Sequence, residues 1–120
     1  MKKSIALAAS GIAFSAVLIG IGTTTEASAY AACGHAAPAD MDHSTYTTAS
    51  TNVNIRTGSN IDCTSVGILA AGTRADYYCY TLNPTSGHTW TYLRDVATGK
   101  KGWVRDDNLP DNGSYVYCGF

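Results

Sequence analysis

Charge is scarce in this chain. Asp, Glu, Lys and Arg make up 14% of 120 residues, eight basic against nine acidic, for a formal net charge of −1. No basic stripe is present that would neutralise phosphates, which argues against a nucleic-acid partner. So weak a net charge also argues against electrostatic capture on an anionic surface. Helical periodicity is missing too. No segment repeats apolar residues at 3.6 spacing for long enough to make a stable helix. There is no internal repeat, no low-complexity tract and no twin-arginine pair.

Catalytic constellations are equally absent. Cys33-x-His35 offers a thiol and an imidazole. A nucleophile needs a base at hydrogen-bond distance and a third group to orient that base, and two positions in an irregular arm supply neither. His35, Asp40, Asp42 and His43 are metal-ligating types. Their donors suit zinc or copper, but their spacing matches no closed site. The expectation is a protein that is not an enzyme and carries no metal or cofactor.

The front of the chain has the order of an export signal. Lys2 and Lys3 precede an uncharged run from Ile5 to Ile21, and "TTTEASAY" follows with Ala27-Ser28-Ala29. That is the pattern of a secretory signal peptide cleaved after Ala29. The run is shorter than the ~20 apolar residues a spanning helix needs, so no membrane span is expected in the mature chain. Tyr30-Ala31-Ala32 is a poor lipoprotein box ahead of Cys33. The product is expected outside the cell, free or associated with the cell wall. It contains all four cysteines, Cys33, Cys63, Cys79 and Cys118, and an even number in an exported chain reads as two disulfides.

Residues 30–50 show neither strand nor helix period and read as an irregular arm. From Thr51 the pattern changes. In "TNVNIR", Val53 and Ile55 share one face, with Asn52, Asn54 and Arg56 on the other. That alternation marks a half-buried strand, and "TGSN" breaks it. "SVGIL" and "RADYYCYT" follow, the second with Ala75, Tyr77 and Cys79 on one face. "TWTYLRD" and "KKGWVR" form a hairpin around Thr98-Gly99. "DDNLP" allows one helical turn, with Asp106-Asp107 placed to cap its amides. "GSYVYC" reads as a last strand. Five or six short, closely spaced strands imply a small barrel or sandwich.

Cys63 and Cys79 flank "GILAAGTR" symmetrically. A hairpin there would set Ile68 opposite Arg74 and bring the two cysteines near disulfide reach. This spacing pairs Cys63 with Cys79 and, by subtraction, Cys33 with Cys118. The two other connectivities remain open.

Read together, "VNIRTGSN", "SVGILAAGTRADYY" and "WTYLRDVATGKKGWVRDDNL" resemble the bacterial SH3-like family. The resemblance covers Asn52 to Leu109. It rests on Asn54-Ile55-Arg56-Thr57-Gly58, Gly72 and Gly102-Trp103-Val104, in order and at the right distances. Two departures stand out: Gly58-Ser59 replaces a usual Gly-Pro, and Ala75 stands where a larger aliphatic is common. The extra cysteines and the C-terminal extension resemble secreted members from actinobacteria. The resemblance implies an all-β fold, a small five-stranded SH3-like barrel over residues 51–110. It would carry disulfide-pinned extensions at 30–50 and 111–120. It also implies a binding module for cell-wall (peptidoglycan) peptide, with an extracellular protein–protein module or inhibitor as the alternative. A monomer is expected.

If Leu93 and Val104 point inward, alternation turns Trp90, Tyr92 and Trp103 outward, with Tyr78 and Tyr80 beside them. Such a cluster is suitable material for a peptide or sugar groove. These five residues are the ligand-binding candidates.

Overall fold

A computed structural model describes residues 30–47 and 51–120 of the chain. The expected signal peptide, residues 1–29, lies outside the described residues. Six strands form one antiparallel sheet: β1 Thr45–Thr47, β2 Val53–Arg56, β3 Ser65–Leu69, β4 Arg74–Leu82, β5 Thr89–Asp95 and β6 Lys101–Arg105. Their order across the sheet is β1-β4-β5-β6-β2-β3, so β1 and β3 are its edges. A single 3-10 turn, Asp106–Asn108, follows β6. No helix among the described residues is long and apolar enough to cross a membrane.

Strands β2 to β6 fall on the runs read as strands, and the β5–β6 hairpin turns as expected. Asp95 closes it. Its Oδ1 accepts the amides of Ala97 at 2.8 Å and Thr98 at 3.3 Å. Gly99 then takes φ +81°, the left-handed conformation that costs a glycine little.

The pairing of strands departs from expectation. β3 does not form a ladder with β4. It pairs with β2, Val53 opposite Leu69, while β4 pairs with β5. The symmetric hairpin that would have joined Cys63 to Cys79 therefore does not form. A second cause lies inside β4. Tyr77 pairs with Leu93 and Cys79 with Tyr92, so Tyr78 is an extra residue in a β-bulge. A one-residue insertion reverses the faces of everything after it. Ala75 and Tyr77 enter one core and Cys79 enters another. The disulfides are Cys33–Cys63 and Cys79–Cys118, and no cysteine is free. This corrects both expected pairs, Cys63–Cys79 and Cys33–Cys118.

Three further expectations change. The arm at 30–50 is not wholly irregular, since β1 pairs with the first residues of β4, Tyr46 opposite Ala75. "GSYVYC" makes one parallel bridge, Tyr80 to Tyr117, rather than a strand. The 3-10 turn has no side-chain cap, because Asp106 is buried and accepts the Thr91 hydroxyl at 2.6 Å instead.

Two apolar clusters result. The inner one gathers Val53, Ile55, Leu69, Ala75, Tyr77, Leu93, Val104 and Leu109. The outer one, on the other face of β4–β6, gathers Cys79, Trp90, Tyr92 and Trp103 with Ala31 and Cys118, and Tyr78 and Phe120 pack against it. β5 is consequently buried on both faces from Trp90 to Leu93.

Candidate functional site

Four of the five aromatic candidates come together, Trp90, Tyr92 and Trp103 with Tyr78 packed against them, but not as an open face; Tyr80 joins neither cluster and meets Tyr117 instead. Trp103 is wholly buried, Trp90 is 3% exposed, Tyr80 4% and Tyr92 6%. Tyr78 is half-buried. Tyr92 meets Trp103 edge-on at 5.2 Å between ring centres, and Tyr78 lies 5.2 Å from Tyr92. Burial and the neighbouring Tyr78 raise the Tyr92 phenol above its ordinary value of 10.0. Burial, then Tyr117 and Asp106, raises Tyr80 likewise.

The arm and the C-terminal extension cover this face. Phe120 stands edge-on to Trp103 at 6.1 Å, and His35 stacks on Phe120 at 4.4 Å. The Thr81 hydroxyl donates to the Phe120 carbonyl oxygen. Tyr80 and the extension exchange two backbone bonds, Tyr80 N to Val116 O at 2.8 Å and Cys118 N to Tyr80 O at 2.9 Å. Buried Asp42 of the arm accepts the Ser114 hydroxyl at 2.7 Å and so ties the two terminal segments together.

Gly58 and Ser59, in the stretch that breaks β2, are where the arm docks. A Cβ on Gly58 would lie 2.7 Å from the Ala32 carbonyl, so the arm's backbone occupies the space a side chain would need. Ser59 is fully buried. Its amide donates to the Ala31 oxygen at 2.9 Å, and its Oγ accepts the Ala31 amide at 3.0 Å. Proline at 59 would supply neither group. Cys33–Cys63 then fastens the same loop to the arm.

The concave surface lies elsewhere, between the loop before β3 and the loop joining β4 to β5. Two adjoining cavities of about 290 and 170 Å³ share Ile61, Trp90 and Arg105 as walls. The larger adds Asn60, Asp62, Asn83, Thr85, Ser86 and His88, and the smaller adds Asn54, Arg56 and Asn108. Asn83 holds the two loops in register. Its Oδ1 accepts the Thr85 amide at 3.0 Å within its own loop, and its Nδ2 donates to the Ser59 oxygen at 2.8 Å across to the other. Of the sequence candidates only Trp90 lines this groove. Its Nε1–H has no acceptor among the described residues. Ile61 is 61% exposed, an isolated large apolar side chain in the polar stretch "TGSNIDCTS". That isolation was the available signal for it.

A third cavity of about 390 Å³ is lined by Asp40, His43, Thr45, Arg74, Asp76, Arg94 and Val96. Its two arginines face two carboxylates, and Arg94 lies 3.7 Å from Asp76. Burial, then Asp40, raises the Asp76 carboxyl above its ordinary 3.8, with Arg94 opposing. Charges that compensate one another and the lack of an aromatic wall make this the weaker binding candidate. Of the four arm residues weighed as metal ligands, Asp40 and His43 reach this cavity. Asp42 is taken up by Ser114, and His35 by Phe120. Among the described residues no three His, Cys, Asp or Glu side chains group as metal ligands. Compared with protein-family models, with curated proteins and with solved structures, the chain matches none of them.

Proposed function

We propose that this chain is a secreted, non-catalytic binding module with an SH3-like barrel, and that it recognises cell-wall peptide in the groove walled by Trp90. Three observations support the reading. The two disulfides suit an oxidising, extracellular setting. The inner cluster draws residues from β2 through β6, including β3 and β4, which stand four places apart in the sheet. Flat strands at that separation would lie roughly 19 Å apart, too far for their side chains to share one core, so the sheet must curl. The groove carries the functional part: an indole wall, an exposed Ile61, and asparagine amides able to bond a peptide backbone.

The experiment is retention of the secreted product on purified cell-wall sacculi. Ile61→Asp alters an exposed groove residue and leaves the core intact. Retention that falls at least fivefold in that variant supports the reading. Equal retention of both proteins places binding outside the groove, and no retention removes the cell-wall assignment. The second reading, a module for another extracellular protein, is favoured by the β3 edge. There Val66 is 39% and Ile68 48% exposed, and an unpaired strand edge is a surface on which extended chains add.

A further inference from the structure

The smaller half of the groove is lined by Asn54, Arg56, Ile61, Trp90, Arg105 and Asn108. It has two cations, two amides, an indole and an aliphatic side chain, and no carboxylate. We propose that it captures the free α-carboxylate of a short peptide, gripped by Arg56 and Arg105 against the Trp90 wall. This deepens the binding reading above and rests on it.

The sheet sets the two guanidinium groups there. Arg56 of β2 is opposite Trp103 of β6, and Arg105 of β6 is opposite Trp90 of β5. Arg56 gives one Nη1–H to the Cys63 carbonyl at 3.0 Å, and meets no carboxylate within ion-pair distance among the described residues. Arg105 gives its Nε–H to Asp107 at 2.7 Å. Each guanidinium has five N–H donors and no acceptor. Most of their donors are therefore uncommitted. The amides of Asn54 and Asn108 donate as readily as they accept. A surplus of donors calls for a ligand group that only accepts, and an ionised carboxylate is such a group.

Size narrows the choice. About 170 Å³ holds a carboxylate and one small residue, and the adjoining 290 Å³, with Ile61 and Trp90 continuing along it, takes the residues before it. The Arg105 side chain is 30% exposed, so water screens the contact only in part. Cys33–Cys63 holds Cys63, whose carbonyl orients Arg56. The anion grip and the disulfide thus share one loop.

The test compares N-acetyl-Ala-Ala with its C-terminal amide and with inorganic phosphate. Each is titrated into the isotope-labelled, disulfide-intact protein and followed by amide and indole NMR shifts. The free acid should bind about tenfold more tightly than the amide, the margin of one charge-assisted contact. Arg105→Gln should reduce that preference to within twofold. Arg56→Gln should do the same, and because the Arg105 side chain bonds no backbone group among the described residues, its variant keeps the test sound if the first loop shifts without Arg56. Acid and amide binding equally at Ile61 and Trp90 would overturn the carboxylate grip and leave the groove reading standing. No shift at those residues from any peptide would overturn the groove reading itself. Phosphate displacing the acid at equal concentration would show a general anion site and overturn the peptide claim.

Discussion

The two apolar clusters differ in how they are closed. The inner one is aliphatic apart from Tyr77, and all of its residues but Leu109 come from strands β2 to β6. The outer one is aromatic, and chain segments outside the β2–β6 strands lie over it, fixed by two disulfides and a set of polar bonds. The inner cluster follows from alternation alone. The outer one needs something to cover a face that alternation would leave wet. In a domain this small, one core supplies little net stability. A second core made from the terminal segments adds burial, and each disulfide adds about 3–4 kcal/mol in the chain-entropy model. The same aromatic residues that suggest a binding face thus serve as structure, and the open groove forms beside them, where two loops meet.

The sharpest way to break this comparison is Trp103→Ala. A tryptophan on an exposed binding face costs little stability when removed. A fully buried one should cost about 3–5 kcal/mol, as much as a large inner-core truncation such as Leu93→Ala at about 2–5. Urea unfolding of both variants measures this, and a loss below 1 kcal/mol for Trp103→Ala would mean the outer cluster is no core.

A smaller effect is expected where the arm docks. Ser59→Ala removes the Oγ that accepts the buried Ala31 amide, and should cost about 1–3 kcal/mol, the penalty of an unsatisfied buried donor. Ser59→Pro removes the amide bond as well and should cost more. Equal stability of Ser59→Pro and the parent would show that the arm does not depend on this loop. Amide exchange at Ala31 reads the release directly.

The smallest effect concerns pH. Burial and Asp40 raise the Asp76 carboxyl, so the folded state holds its proton more tightly than the unfolded chain. The stability it contributes is fully present below 3.8 and is lost as pH rises through the raised value. Asp76→Asn should therefore gain on the parent as pH climbs above about 4. Thermal melts at pH 3 and pH 6 would show it, and an unchanged difference between the two proteins would contradict it. Because Asp40 lies in the arm, the effect also reports the arm's seat beside β4.

Much of this was legible from residues. "SVGIL" and "TWTYLRD" coincide with β3 and β5, and Leu93 and Val104 do face inward with Trp90, Tyr92 and Trp103 on the opposite side. Alternation reports which face a side chain takes, not what covers that face. It also assumes an unbroken strand, so the bulge at Tyr78, which turns Cys79 away from Ala75 and Tyr77, is invisible to it. The partner of β3 was misread because a short turn after a strand suggests a hairpin, and here the chain crosses the sheet instead. The arm carries no period because polar bonds and a disulfide fix it. Its docking point, the buried Ser59, is one polar residue among several in "TGSN" and carries no mark of its role. Arg56 and Arg105 lie on strands whose pairing brings them to one cavity, and sequence distance hides that.

The account depends on the terminal segments being fastened over the aromatic face, and the disulfide connectivity tests this most directly. Cleavage after Arg56, Arg74, Arg94 and Arg105 places each of the four cysteines in a separate peptide. Without reduction, mass spectrometry should find the peptide ending at Arg56 joined to 57–74, and 75–94 joined to 106–120. A 57–74 peptide joined to 75–94 or to 106–120 would contradict it.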